Sequence, residues 1–143
     1  MAKTNIYLNF PRQTEEAFLF YQSVFGGEFT GGISHMGDMS GEGMPELSEE
    51  DKKLVMHVEL PLLGGVSLMG TDAPESMGFR VNIGNNVYIS LEPDTLEEAQ
   101  RIYEGLSSGG QATQPLKKEF WGAYYGSCTD KYGVQWMFNC YAP

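Results

Sequence analysis

The side chains best suited to chemistry in this sequence are His57 and Glu59, two residues apart in the alternating run MHVELP. In an extended strand, residues i and i+2 point to one side roughly 7 Å apart, so imidazole and carboxylate share a face. Imidazole exchanges protons near neutrality and a neighbouring carboxylate can orient it, which suits general acid or base work. The equally ordinary use of such a pair is a hydrogen-bonded contact at a sheet surface. A second cluster, Trp121, Tyr124 and Tyr125 in FWGAYYG, is aromatic with polar tips and suits the wall of a small-molecule site. Only alternate residues of a strand reach one face, and the spacing leaves open whether Tyr124 or Tyr125 does so. His35, just before a glycine-rich stretch, reads as a surface residue. There is no Gly-Lys-Ser or Gly-Lys-Thr loop, no GxSxG elbow, no CxxC and no glycine-rich turn for a nucleoside, so no cofactor is expected.

The elements that must position these groups repeat. Residues 14–27, TEEAFLFYQSVFGG, are echoed at 96–110, LEEAQRIYEGLSSGG. Both read as amphipathic helices closed by Gly-Gly, with Thr14 expected to cap the first and Asp94, with Glu97, the second. The flanks repeat too: Asn5-x-Tyr7 answers Asn86-x-Tyr88, and the run ending Leu68-Met69 answers that ending Trp136-Met137. Alternation predicts strands at 5–10, 28–36, 54–60, 66–70, 86–91, 112–117, 122–129 and 134–141. The dry faces carry Ile6, Leu8 and Phe10; Met56, Val58 and Leu60; Val66 and Leu68; Val87, Ile89 and Leu91; and Trp136, Phe138 and Cys140. The stretch 37–51, rich in Gly and acid, reads as a loop, and 130–133 as a turn. The result is one α+β domain, residues 1–143, of two βαβββ modules at about 1–72 and 85–143, joined by a loop at 73–84. The wetter sheet faces are where function is expected.

Composition narrows the partners. Nineteen Asp and Glu against nine Lys and Arg give a formal charge of −10, which disfavours nucleic acid and anionic membranes. No apolar run reaches the ~20 residues of a membrane span, and MAKTNIYLNF lacks the pattern of a signal peptide, so a soluble cytoplasmic protein is expected. Cys128 and Cys140 are out of register for a disulfide across the 130–133 turn and are expected to be buried free thiols.

In this order the motifs resemble the glyoxalase, bleomycin-resistance and extradiol dioxygenase superfamily, the vicinal oxygen chelate proteins. Within it the chain is similar to the PhnB-like, 3-demethylubiquinone methyltransferase-like branch. The residues that carry the likeness are Tyr7-Leu8-Asn9-Phe10, Glu15-Glu16-Ala17 with Phe20-Tyr21 and Phe25-Gly26-Gly27, and Met56-His57. They continue with Leu68 to Pro74, Phe120-Trp121-Gly122 with Tyr125-Gly126, and Thr129-Asp130 with Gly133 and Trp136. The resemblance implies paired curved mixed sheets around a cleft for a small molecule, and a homodimer. Metal enzymes of that superfamily hold a divalent ion with side chains from the first and last strand of each module. Here those positions fall on Asn5 and Asn86, or Tyr7 and Tyr88 two residues on, and on Met69 and Met137. Amides and thioethers supply no charge to such an ion, so no metal is expected there.

The ligand-binding candidates are therefore Asn5, Tyr7, Met69, Asn86, Tyr88, Trp121, Tyr124, Tyr125, Gln135 and Met137, with His57 and Glu59 as catalytic candidates. Three readings stay open. One is a metal-free small-molecule binder with His57 as general acid or base. Another is a metal-dependent lyase, isomerase or dioxygenase using His57 and Glu59. The third is a protein that sequesters a drug or metabolite without catalysis.

Overall fold

The computed structural model describes residues 1–38 and 46–141. Two units emerge, Met1–Val81 and Asn82–Pro143, each with its own four-stranded mixed sheet. Among the described residues no helix is long and apolar enough to cross a membrane.

The first unit runs β1 (Ile6–Phe10), α1 (Thr14–Phe25), β2 (Ser34–His35), α2 (Glu49–Lys52), β3 (Val55–Pro61) and β4 (Ser67–Asp72). Its strand order is β1-β4-β3-β2, with β1 parallel to β4 and the other pairs antiparallel. Phe10, Val58, Leu60 and Leu68 form the dry side, buried together with Ala17, Phe18 and Tyr21 of α1. Gly70 is required by close approach: a Cβ there would lie 2.5 Å from Phe18 Cε1. At the other end of α1, Gly26 supplies the positive φ of 79° expected of the closing glycine.

Four local expectations are corrected here. Thr14 does not cap α1. The N-cap is Gln13 with no side-chain bond, and the buried Asp72 at the end of β4 accepts from Thr14 N (3.0 Å) and from Val55 N (2.8 Å) instead. The strand at 28–36 shrinks to Ser34–His35, because Gly31 and Gly32 both take positive φ and turn the chain before it. Within the loop expected at 37–51, residues 39–45 lie outside the described residues, and the end winds into α2, capped where Ser48 Oγ accepts from Asp51 N. Finally, Met56 is 38% exposed while Val55 is fully buried. Ser34 pairs with His57 and His35 with Val55, so β3 carries one residue more than β2 there; this bulge turns Val55 inward.

The second unit runs β5 (Ile89–Leu91), α3 (Leu96–Ser107), β6 (Gln111–Lys118), β7 (Tyr124–Thr129) and β8 (Gln135–Cys140), in the order β5-β8-β7-β6. Trp136, Phe138 and Cys140 are buried as the alternation required, with Ala99, Ile102, Tyr103 and Leu106 of α3 buried as well. Trp136 Nε1 donates to Asp130 Oδ2 (2.9 Å), whose other oxygen accepts from Tyr132 N and Val134 N and shapes the expected turn. Tyr124 pairs with Cys140 and Cys128 with Trp136, so the two cysteines do not face each other; both are buried and free.

Here too the edges shift. The cap of α3 is Thr95, accepting from Glu98 N (3.1 Å), one residue after the expected Asp94. β5 begins only at Ile89, so Val87 is 70% exposed and joins no dry face. Along β6, Gln111, Gln114 and Lys117 face Thr129, Ser127 and Tyr125, three residues stepping against two on each occasion. β6 is thus bulged twice, with Pro115 in the second bulge, where its missing N–H is not needed.

Candidate functional site

Register places the polar groups of the first unit in rows across its wet face. Glu59 of β3 pairs with Met69 of β4, which pairs in turn with Tyr7 of β1. Adjacent strands lie about 4.8 Å apart, so Met69 sits as the middle of three neighbours. His57 lies on the same face of β3, two residues before Glu59. The Tyr7 hydroxyl reaches diagonally across β4 to His57 Nδ1 at 3.2 Å, with ring centroids 5.8 Å apart. Among the described residues Nε2 makes no hydrogen bond.

Glu59 has a different partner from the one its spacing suggested. Ser67 Oγ donates to Glu59 Oε2 at 2.8 Å, while His57 takes Tyr7. Ser67 has no role in the sequence reading; its two-residue offset from Met69 is the signal that could have found it. Asn5 lies just before β1, and its Oδ1 accepts from Ser67 N at 3.4 Å. Beyond His57, Thr71 Oγ1 donates to Met56 O (2.8 Å) and closes the bulge. The other histidine, His35, is half-buried, with Nε2 bonded to Glu15 of α1; it fastens β2 to the helix on the far side of the register from His57.

The second unit presents an aromatic counterpart. Tyr125 pairs with Asn139 and Ser127 with Met137, so Tyr125, Met137, Asn139 and Gln135 lie on one side of β7 and β8. Tyr124 falls on the other side, in phase with the buried Cys128. Trp121 stands edge-on to Tyr125, centroids 6.0 Å apart, and its Nε1 donates to Asn139 Oδ1 at 3.4 Å. Asn139 had no role in the sequence reading; its position opposite Tyr125 becomes visible only with the hairpin register. Gln135 Nε2 donates to Val87 O (3.4 Å), and Tyr88 and Asn86 are exposed ahead of β5.

Two titrations are perturbed on the dry side of this unit. Burial first, then the nearby Asp130 charge, pushes the Cys128 thiol up to about 12. Burial, with Cys128 second, raises the Tyr103 phenol, whose hydroxyl donates to Gln114 O (2.7 Å) and Ser127 O (3.2 Å). Both groups stay protonated at neutral pH and serve packing.

The model of the 3-demethylubiquinone-9 3-methyltransferase family matches residues 2–138. The chain belongs to that family. The protein PA1353 of Pseudomonas aeruginosa is 30% identical, with all of both chains covered and a TM-score of 0.80. The PhnB protein of Bacillus cereus is 25% identical over 97% of this chain and 99% of its own, TM-score 0.73. A glyoxylase/bleomycin resistance protein/dioxygenase domain from Frankia sp. EAN1pec shares the fold at 10% identity, covering 98% of this chain and 97% of its own, TM-score 0.64. The α+β fold of two four-stranded mixed sheets is therefore the glyoxalase-like one.

That superfamily's metal chemistry does not fit the donors here. In the first unit the two positions are Asn5, whose oxygen is engaged by the β4 backbone, and Met69, a thioether. Moving two residues along replaces Asn5 by Tyr7, whose hydroxyl is bonded to His57. In the second unit they are Asn86, outside β5, and Met137. Neither pair offers a carboxylate, imidazole or thiolate, the groups that hold magnesium, iron(II) or zinc. Among the described residues there is also no cluster of three or more His, Cys, Asp or Glu able to hold an ion.

Proposed function

We propose that this family member binds a small organic molecule against the polar face around Met69, without the superfamily's metal, and that His57 is its proton-transfer group. The observation that carries the reading is the convergence of Tyr7, His57, Glu59 and Ser67 on one face of the first unit's sheet, opposite the side packed by α1. A hydrogen bond to Nδ1 fixes the imidazole's orientation, as an acid or base needs. Thioether and phenol ring supply apolar surface; hydroxyl, carboxylate and imidazole supply direction, the usual composition of a ligand site. In the second unit, Trp121 and Tyr125 supply the flat rings suited to sequestering an aromatic compound.

The test is a thermal-shift screen of metabolites and antibiotics with and without added divalent metal, repeated on His57→Ala. The expected outcome is a ligand that raises Tm equally with chelator or metal present and whose turnover, not whose binding alone, is lost in His57→Ala. Stabilisation that appears only with metal refutes the metal-free reading. A ligand bound as tightly by His57→Ala, and not turned over by either protein, leaves sequestration as the function.

A further inference from the structure

The wet face of the first unit is electrically one-sided. Glu59 is half-buried there, and its carboxylate is held from one direction only: Ser67 Oγ occupies Oε2, while Oε1 has no hydrogen-bond partner among the described residues. Among the described residues of this unit the ion pairs lie elsewhere, Arg12 with Asp51, Lys52 with Glu49 and His35 with Glu15 and Asp38, and no Lys or Arg pairs with Glu59. That second oxygen is open to solvent, and a cation arriving from solution is the complement such a carboxylate accepts. The neighbouring groups suit an organic cation better than a metal ion. Across the row from Glu59 stand the Met69 thioether and then the Tyr7 ring, whose hydroxyl is turned away to His57 and whose surface is 47% exposed. Polarizable sulfur and an aromatic face attract an ammonium group and the methylenes beside it, whereas hard cations seek several oxygens. The chain as a whole adds to the bias, since ten negative charges in excess raise the local concentration of cations and lower that of anions.

We propose that the ligand of this face carries a positively charged nitrogen, a primary amine or other organic ammonium, seated over Met69 between the Glu59 carboxylate and the Tyr7 ring. The proposal rests on the small-molecule reading above and specifies its substrate class: an amine whose ammonium pairs with Glu59 while the rest of the molecule reaches His57.

The experiment uses the full chain with 13C-methyl methionine, the Met69 signal being assigned through Met69→Leu. Three matched probes are titrated at neutral pH: benzylamine, benzyl alcohol and phenylacetate. Benzylamine is expected to move the Met69 methyl resonance. Glu59→Gln, which keeps the acceptor for Ser67, is expected to weaken that binding about tenfold, the scale of one charge-assisted hydrogen bond. Added salt is expected to weaken it further. Equal response to benzyl alcohol or phenylacetate, or unchanged benzylamine binding by Glu59→Gln, overturns the ammonium assignment while small-molecule binding stands. A Met69 shift on adding magnesium chloride alone overturns it in favour of an inorganic cation. If none of the probes moves Met69, the small-molecule reading of this face falls with it.

Discussion

Asp72 holds three elements of the first unit with one carboxylate, and removing it tests how that unit is built. Its oxygens accept from Thr14 N at the start of α1 and Val55 N at the start of β3, both bonds buried, and it is itself the last residue of β4. Asp72→Ala orphans both amides, and each buried unsatisfied donor costs about 1–3 kcal/mol. It also removes a negative charge from the N-terminal end of a helix, a further loss of about 0.3–1 kcal/mol. Partial relief comes from no longer burying a carboxylate, so the expected loss is about 3–5 kcal/mol. Asp72→Asn keeps one acceptor but turns an NH2 towards the other amide, so about 2–3 kcal/mol is expected. Urea denaturation followed by circular dichroism measures both, and the comparison requires unchanged m-values. Native-state hydrogen exchange gives the local readout, with the Val55 and Thr14 amides losing protection first. A loss below about 1 kcal/mol in Asp72→Ala, with those amides still protected, would refute the reasoning, because their partner would then be something other than this carboxylate.

Two further perturbations address the second unit. A Cβ on Gly110 would lie 2.2 Å from Thr129 O, a backbone atom that cannot swing aside, so Gly110→Ala is expected to cost at least the about 1–3 kcal/mol of an overpacked site, measured by urea titration. The Cys128 thiol, raised to about 12, is protonated in the fold beyond the range where a free thiol ionises. Its contribution to stability is complete below the unfolded value and lost as pH climbs through the folded one, so stability should fall between about pH 9 and pH 12. That slope should flatten in Cys128→Ala. Native protein at pH 8 should leave Cys128 unmodified by a thiol reagent that labels it at once in urea.

What the sequence made legible was whatever depends on near neighbours. Alternation placed Trp136, Phe138 and Cys140 inside together, and glycine marked where α1 stops, because strand period and C-cap geometry are local properties. The departures that bear on the core and the site involve partners distant along the chain. Asp72 takes over the start of α1 from 58 residues away, which no capping pattern at Thr14 reveals. Met56 turns outward because β2 is one residue short against it, a fact of pairing and not of hydropathy. The same limit applies to the site. His57 and Glu59 were visible as a pair on one face, but Tyr7, 50 residues from His57, and Ser67 are the partners that the folded register brings to them. Tyr124 and Tyr125 were separable only by knowing that Tyr125 stands opposite Asn139.

The doubled irregularity of β6 bears on behaviour in concentrated solution. As the outermost strand beside β7, it offers unpaired backbone groups that another chain's strand could extend. Two bulges break the even spacing such an addition requires, Pro115 withholds a donor, and the exposed Lys117 and Lys118 set like charges against any second copy of the same edge. Restoring the donor and dropping the charges, with Pro115→Val, Lys117→Thr and Lys118→Thr, would remove two of the three features that keep this sheet from acting as a template for aggregation.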